Sequence, residues 1–424
     1  MKTLPLFLLS ATLPISAADL SGNWELYVSG GQLNEARRVH LTLQGGEYHW
    51  QFFGSQMSGA AQGDNIVFHC KEDSKPCGDW KGHMTDAGMS GEGDVDGIPI
   101  KWSAHRAAVR PSSAPAHHDF TPTVFYREFS GSKQPVLHLW PGDSVHTQTV
   151  DAGGRDSQGT HRVFGGNPLT GPFYIEGAMP GDALVVKLVR VRLNRDSARS
   201  GDGISGNALD PYYFRDQPKI EHFDSEWKLD RDTQTGMLKN PTDRLKNYKV
   251  ALRPMMGCIG VAPSRGQSFR AGYLGSWGGN MDYNHVVEGT TVFLPVNVPG
   301  ALLFVGDGHA GQGDGELAGD ALETSMDIEF TVDVQQDKHL DGPRFENAEF
   351  VMTSGIANSL EGALQDATTA MSTYLSDTYK LNPAEIAIVL DTAMKYDIAE
   401  VVDPEVHMVA KLPKSALAGL TPVR

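Results

Sequence analysis

Acidic residues and histidines cluster in one glycine-rich stretch of this 424-residue chain, between positions 278 and 316. Asp282 precedes a predicted strand over 290–298, and His309 and Glu316 follow a second, neighbouring predicted strand over 301–305. Carboxylates and imidazoles are common ligands of divalent cations, and a mixture of oxygen and nitrogen donors suits zinc. The pattern predicts a metal site in which Asp282 and His309 are ligands and Glu316 is a general base or a further ligand. Simple turn formation is the alternative, because Asp and Gly also favour turns.

Other polar residues, within this stretch and elsewhere in the chain, are weaker candidates for the site. Asp151 ends a predicted strand before a glycine loop and is a further candidate ligand. His285 and Asp307 are interpreted as turn residues or as residues outside the ligand set, and Asp314 is undecided. Because calcium prefers oxygen ligands, His309 favours zinc or a similar ion, with calcium as the alternative.

Apolar and polar residues alternate over most of the chain, a pattern that predicts β-strands. These strands are therefore the elements that must hold the candidate site residues in place. Residues 19–106 are predicted to form a small all-β unit, and residues 120–334 continue with further strands. Helical spacing is predicted for 359–381, with apolar residues on one face, and Asn382 followed by Pro383 is typical of a second helix start. The predicted fold is mainly β (α+β), with a sandwich- or barrel-like catalytic domain over 120–424. The apolar residues of the first helix are at 360, 364, 367, 371 and 375.

The two ends of the N-terminal unit have their own signals. Residues 1–18 resemble an export signal, with Lys2 before an apolar stretch and small residues at 16–18, although a buried helix is the alternative. We therefore expect a periplasmic or secreted protein. Residues 107–119, rich in Ala, Pro and Ser, are predicted to be a linker, and His118 at its end is either a solvated loop residue or a metal ligand.

Charge and cysteine content narrow the function classes. The formal net charge of −16 argues against nucleic acid as the main partner, because phosphate binding needs a cationic surface. No apolar stretch is long enough to insert into a membrane. Cys70 and Cys77 form either a disulfide or two free thiols, and Cys258 is predicted to be a core residue.

Several blocks of the sequence resemble the acetamidase/formamidase family, in order and over about 120–417. These blocks are "LHLWPGDSVHTQTVDAGGRD", "GNPLTGPFYIEGAMPGDALVVKL", "GCIGVAP", "GGNMDYNHVVEGTTVFLPVNVPGALLFVGDGHAGQGDGE" and "EVHMVAKLPKSAL". The resemblance implies a β-rich hydrolase of small linear amides that binds a metal ion. Carried over block by block, it implies Asp151, Asp282, His309 and His118 as metal ligands and Glu316 with Asp282 as catalytic residues. It also makes a homodimer or higher oligomer the expected assembly.

Three functions remain open on the sequence. The first is hydrolysis of a formamide- or acetamide-like substrate to a carboxylate and ammonia, with a divalent metal, zinc or calcium. The second is hydrolysis of another C–N bond, such as that of a lactam, since the N-terminal unit and the export signal depart from the usual cytoplasmic enzyme. The third is a non-catalytic exported protein that binds a cation or a carbohydrate.

Overall fold

The computed structural model describes residues 19–111, 114–218 and 223–423, so the predicted export signal lies outside the described residues. The chain divides into two compact units, with the boundary between Ala108 and Val109. No helix in these described ranges is both long and apolar enough to cross a membrane.

The smaller unit is a closed, eight-stranded antiparallel barrel in which each strand pairs with the next and the first pairs with the last. Alternate side chains point inward, so the four tryptophans Trp24, Trp50, Trp80 and Trp102 are buried together. Cys70 and Cys77 form a disulfide with their Cα atoms 5.1 Å apart, which resolves the alternative left open by the sequence. The strands are β1 Gly22–Gly30, β2 Leu33–Gln44, β3 Glu47–Phe52, β4 Ser55–Gln62, β5 Asn65–Glu72, β6 Lys75–Thr85, β7 Gly88–Val95 and β8 Ile98–Arg106.

The larger unit is built mainly from strands, with two longer helices near its C-terminal end. The predicted mainly-β class with a C-terminal helical segment is confirmed. Its strands are β9 His117–Asp119, β10 Glu128–Ser130, β11 Leu137–Leu139, β12 Ser144–Gln148, β13 Leu169–Ile175, β14 Ala183–Leu193, β15 Ser197–Arg199, β16 Glu226–Asp230, β17 Thr235–Leu238, β18 Val250–Ala251, β19 Met255–Gly260, β20 Ser268–Arg270, β21 Leu274–Gly275, β22 Gly278–Asn280, β23 Thr291–Pro295, β24 Leu303–His309, β25 Glu323–Thr324, β26 Met326–Gln335, β27 Arg344–Glu346, β28 Phe350–Ala357, β29 Lys395–Glu400 and β30 Val406–Pro413. Its helices are α1 Pro211–Asp216, α2 Leu360–Tyr379 and α3 Pro383–Ala393.

Two large sheets form the framework of this unit. The first has the strand order β29-β30-β28-β27-β23-β14-β26-β12-β9, and the second contains the run β15-β25-β24-β19-β22-β21. Most buried apolar residues of the two sheets belong to one hydrophobic cluster, as in a β-sandwich, and a smaller cluster joins β28 and β30 to α2. The prediction that β23 and β24 are neighbouring strands is wrong, because they belong to different sheets. The predicted linker also ends early, because residues 117–119 form β9 and pair with β12.

The two helices begin where the sequence indicates. Ser359 caps α2, and Asn382 caps α3 with the reciprocal Glu385 contact of a capping box. Positions 367, 371 and 375 of the predicted apolar face of α2 are buried. The predicted face needs correction only at its start, because Leu360 and Leu364 are exposed and Ala363 is buried instead. The reason is close packing: a Cβ at Gly355 of β28 would lie 1.8 Å from the Ala363 carbonyl oxygen, so only small residues fit at this contact.

Candidate metal centre

Four adjacent strands of the second sheet bring the acidic residues together. Asp282 lies two residues beyond β22, and Asp307 and His309 lie on β24. Glu323 on β25 pairs directly with His309 across the ladder. Glu316 comes from the loop between β24 and β25. Because β19 lies between β22 and β24, the strands around the site are four consecutive strands of the sheet, in the order β25-β24-β19-β22.

The five side chains form two overlapping groups that share His309. In each group, Asp282–His309–Glu316 and Asp307–His309–Glu323, the potential ligand atoms lie within 4.8 Å of one another. The Nε2 atom of His309 is 3.8 Å from Asp282 Oδ1, 3.5 Å from Asp307 Oδ2 and 3.1 Å from Glu323 Oε1. One imidazole nitrogen therefore faces carboxylate oxygens from three sides.

Burial makes this cluster chemically unusual. Asp282 and His309 are each 1% exposed, and the most exposed member, Glu323, reaches only 8%. Several polar atoms have no hydrogen-bond partner, among them both carboxylate oxygens of Asp282 and Nε2 of His309. Oδ1 of Asp307 and Oε2 of Glu323 are also unpartnered. Buried, unpaired carboxylate oxygens cost several kcal/mol unless a cation or a proton compensates them, so this donor set fits a divalent cation.

The electrostatics of the cluster support the same conclusion. Burial, reinforced by the Glu316 carboxyl, raises the pKa of Asp282 well above its usual range. Burial raises the pKa of Glu323 to about 7 and also raises the pKa of Glu316. Burial lowers the pKa of His309, but the carboxylates of Glu323 and Asp307 outweigh this effect and raise it well above normal. Without a cation, these groups can reduce their mutual repulsion only by holding protons.

Backbone strain and close packing are concentrated at the same place. Asp282, Asp307 and Glu316 have φ values of 39°, 55° and 45°, in the left-handed region that residues with a Cβ seldom adopt. Gly257 of β19 lies between two of these residues. A Cβ there would be 2.3 Å from Asp282 Oδ1 and 2.7 Å from Asp307 Oδ2. Strain of this kind persists where the surrounding structure enforces it, commonly at functional sites.

Gln312 fixes the orientation of the imidazole. His309 Nδ1 is 2.9 Å from Gln312 Oε1, while Gln312 Nε2 donates to the backbone carbonyls of Asp282 and Ala399. Since Gln312 Nε2 is committed to carbonyls, its Oε1 must accept from Nδ1–H of His309. In the neutral imidazole the lone pair then lies on Nε2, the atom that faces the carboxylates, as a metal-binding histidine requires.

The structure places the other two sequence-predicted ligands outside both groups. Asp151 forms a 2.7 Å ion pair with Arg195, so a protein cation already compensates its charge. His118 lies 3.4 Å from Asp143, a carboxylate that also pairs with Arg110. Because each residue is held by partners of its own, Asp151 and His118 are not brought to His309.

Sequence reasoning misses two members of the cluster. Of the two interpretations of Asp307, as a turn residue or as a residue outside the ligand set, the first is wrong, because the second strand does not end at 305: β24 continues to His309. In the longer strand, residues 307 and 309 lie on the same face, because side chains in a strand alternate with a period of two. This two-residue spacing is the feature of the sequence that indicates Asp307 as a partner of His309. Glu323 has no such signal, because only its pairing with His309 places it in the site. Asp314 is exposed and accepts a hydrogen bond from Asn284.

Comparisons with known proteins cover most of the larger unit. The model of the Acetamidase/Formamidase family matches residues 135–268 and 275–417. The crystal structure of an acetamidase from Yersinia enterocolitica is similar, with a TM-score of 0.61 and 28% identity, covering 72% of this chain and 94% of that chain. A curated protein of Schizosaccharomyces pombe is 28% identical over 35% of this chain, and the acetamidase of Mycolicibacterium smegmatis is 24% identical over 50%. These two matches span only 47% and 64% of the relatives' own lengths.

Proposed function

Because this chain belongs to the acetamidase/formamidase family, we propose that it hydrolyses a small linear amide to a carboxylate and ammonia. We further propose that the reaction requires a divalent cation, with zinc favoured over calcium because the donor set includes an imidazole. The observation that carries the proposal is the buried cluster around His309, with its unpartnered Nε2 and carboxylate oxygens. The names of the relatives, acetamidases in Yersinia enterocolitica and Mycolicibacterium smegmatis, support the choice of substrate class.

Asp282, His309, Asp307 and Glu323 are the residues that would hold the cation, since each has an unpartnered buried atom at the cluster. A bound divalent cation supplies Lewis-acid polarisation of a carbonyl group and lowers the pKa of water. The protein's contribution is to exclude bulk water and to fix the donors. Gln312 holds the tautomer of His309, and the strand pairing of His309 with Glu323 holds their separation.

We assign proton transfer to Glu316. Its carboxylate is nearly buried, and its Oε1 accepts the Ala321 N–H at 3.1 Å. Burial raises the pKa of this carboxyl group in the cation-free protein, and a buried carboxylate is a suitable general base. In the reaction, water oxygen adds to the carbonyl carbon, Glu316 takes one water proton and passes it to the amide nitrogen, and the C–N bond breaks to release ammonia. The second water proton stays on the acid product and is lost to solvent when that product ionises to the carboxylate.

The test combines metal analysis with an activity screen. The purified protein, before and after chelation, is assayed for ammonia release from formamide, acetamide and longer amides and for ring opening of a lactam, with bound metal measured by elemental analysis. We expect chelation to abolish ammonia release and zinc to restore it. Full activity in metal-free protein would disprove the cation requirement, and no hydrolysis of any linear amide by the zinc-loaded protein would disprove the amidase function.

Two histidine variants provide a matched pair for this test. His309→Gln removes the shared imidazole and should lose both bound metal and activity, whereas His118→Gln removes an imidazole outside the cluster and should retain both. Equal loss of metal in His118→Gln would restore that residue to the ligand set and contradict our assignment.

We also propose that the protein is exported. The support is the character of residues 1–18 and the disulfide between Cys70 and Cys77, since disulfides persist in oxidising compartments. Fractionation of expressing cells and the mass of the recovered chain test this proposal. A full-length chain confined to the cytoplasm would contradict it.

A further inference from the structure

Asn280 occupies a buried position beside the cluster without being one of its ligands. It is 4% exposed and ends β22, two residues before Asp282. Its Nδ2 donates to Asp403 Oδ2 at 2.7 Å, and its Oδ1 accepts from Asn167 Nδ2 at 2.8 Å and from Cys258 Sγ at 2.7 Å. One side-chain amide thus joins three separate parts of the chain.

The polarity of this amide is fixed by its surroundings. Asp403 offers a carboxylate, which can only accept when ionised, so the NH₂ group of Asn280 must face it. Asn167 and the Cys258 thiol offer donors, so the carbonyl oxygen must face them. A thiol carries one proton, and Cys258 Sγ directs it at Asn280 Oδ1, 2.7 Å away.

The contacts continue to the cluster itself. Asn167 Nδ2 also donates to Asp307 Oδ2 at 3.1 Å, and the Cys258 Sγ lies 3.8 Å from the same oxygen. Asp307 Oδ2 is in turn 3.5 Å from His309 Nε2. The unpartnered oxygen of Asp307 is Oδ1, so this network leaves one oxygen of the carboxylate for a cation.

The other end of the network is the loop between β29 and β30. Glu400 is fully buried, and its Oε2 accepts the backbone N–H groups of Val402 and Asp403. This turn presents the half-buried Asp403 carboxylate to Asn280. The Asn280–Asp403 hydrogen bond thus joins this loop to the strands that carry Asp282 and His309. It acts beside two other contacts of the loop, the Val401 N–H with the Gly315 carbonyl and the Glu405 carboxyl with the Leu274 N–H.

We propose that Asn280 is a positioning residue of the site: through Asn167 it orients the Asp307 carboxylate for cation binding, and through Asp403 it helps to hold the β29–β30 loop at the same site. The proposal rests on the proposed metal-dependent function. It predicts that Asn280 acts on cation affinity and on turnover, beyond any effect on folding. Hydrogen-bonding partners that orient metal ligands typically change affinity or activity by about 10- to 100-fold when they are removed.

The first test replaces Asn280 by an apolar residue of similar size. Asn280→Leu should weaken Zn²⁺ affinity, measured by competition with a chromogenic chelator, by roughly 10- to 100-fold, and should lower kcat more than it changes KM. Asn284→Leu is the matched control, because Asn284 also donates to an aspartate, Asp314, but that aspartate is exposed. A folded Asn280→Leu with Zn²⁺ affinity and kcat within about threefold of wild type would overturn the proposal, since the loss of a ligand-orienting partner costs about tenfold or more.

The second test exchanges the two hydrogen-bonding partners. Asn280→Asp places two carboxylates face to face and should lower kcat. Adding Asp403→Asn restores a hydrogen bond of reversed direction and the original total charge, and leaves an oxygen at position 280 for Asn167 and Cys258. We expect the double variant to recover kcat and Zn²⁺ affinity. Recovery of thermal stability without recovery of kcat and affinity would show a purely structural role and overturn the proposal.

These readouts separate the two hypotheses. If the wild-type protein binds Zn²⁺ but hydrolyses no amide, the proposed activity fails, whereas the affinity measurements still decide the role of Asn280.

Discussion

In the N-terminal barrel, the buried polar atoms without a hydrogen-bond partner include the indole N–H groups of Trp50, Trp80 and Trp102. In the larger unit, the corresponding atoms around His309 are carboxylate oxygens and an imidazole nitrogen. Both regions are built mainly from strands that enclose apolar side chains, so the strand framework does not explain the difference. The difference is that several carboxylates are buried together around His309, whereas the charged group with an unpartnered atom in the barrel is the cation Arg37, whose guanidinium carbon lies 3.6 Å from the centroid of the Phe53 ring.

Neutral donors can be accommodated in an aromatic core. The ring centroids of Trp50 and Trp80 are 5.6 Å apart, and those of Phe52 and Trp80 are 5.2 Å apart, both with edge-on geometry. Such packing offers ring faces to N–H groups, and the contacts are weak but favourable. The barrel interior is therefore consistent with a purely structural core.

Charged groups cannot be accommodated in this way. The four carboxylates and one imidazole of the cluster would leave a net negative charge in a buried place, and within the described ranges no Lys or Arg forms an ion pair with any of these five residues. Desolvating one unpaired charge costs several kcal/mol. The comparison teaches that unpartnered atoms indicate a cation site around His309 because they are clustered carboxylate oxygens, whereas the unpartnered atoms of the barrel are N–H donors of tryptophans and of Arg37, which cannot bind a cation.

The largest expected effect is on turnover. Asp282→Asn keeps the shape of the side chain but removes a ligand charge, and we expect kcat/KM to fall roughly 10⁴-fold, about 5.4 kcal/mol of transition-state stabilisation. In chelator-treated protein the same change removes a buried unpaired charge, so the melting temperature should not fall. Calorimetry of metal-free protein checks this, and a marked loss of stability would show that Asp282 has a structural role.

The barrel should respond in the opposite way. Trp80→Ala removes a fully buried ring, and we expect a loss of about 4 kcal/mol in the barrel's free energy of unfolding with no change in kcat/KM per folded chain. Leu43→Ala, at an exposed barrel position, is the control and should cost less than about 0.5 kcal/mol. Hydrogen exchange of barrel amides measures both. A loss of turnover in folded Trp80→Ala would give the barrel a part in the site.

The pH dependence of the unfolding free energy should also differ between the two units. His407 is fully buried, donates from Nδ1 to the Met281 carbonyl and accepts from the Ser354 hydroxyl, and burial lowers its pKa to about 4. The unfolded chain binds a proton near pH 6.5 and the folded chain does not, so the stabilisation is present above pH 6.5. It is lost as the pH falls towards 4, by about 3 kcal/mol in total.

The measurement for His407 is the difference in unfolding free energy between wild type and His407→Asn from pH 7 to pH 4. The variant should lack this part of the pH dependence, and His339→Asn, at an exposed position, should retain it. Barrel histidines are not buried in the described structure, so the effect should appear only in the unfolding of the larger unit. Parallel pH profiles for wild type and His407→Asn would contradict the assignment.

The smallest expected effect concerns the barrel disulfide. It closes a loop with a sequence separation of only 7, and constraining so short a loop stabilises a fold by roughly 2 kcal/mol. Cys70→Ala combined with Cys77→Ala should therefore lower the stability of the barrel by about this amount and leave Zn²⁺ affinity unchanged. Denaturation of the double variant, compared with wild type in reductant, checks the value.

Local features of this protein could be predicted well from the sequence. Asn382 and Pro383 start α3 as expected, because a helix N-terminus is specified by the side chains of a few consecutive residues. Alternation of apolar residues likewise predicts the strands of the barrel, because side-chain direction in a strand has a period of two. The family resemblance and the residues Asp282, His309 and Glu316 are also recognisable in the sequence, and the structure brings these three together.

Tertiary structure decided the rest of the site. Asp307 and Glu323 join His309 only because β24 continues past Val305 and pairs with β25, and strand extension and register depend on partners distant in the sequence. Asp151, by contrast, is held by Arg195, 44 residues away. The sequence by itself determined which residue types were available to bind a cation. Which of them meet was decided by sheet order and by the positions of the arginine side chains, since a carboxylate compensated by an arginine has no need of a metal ion.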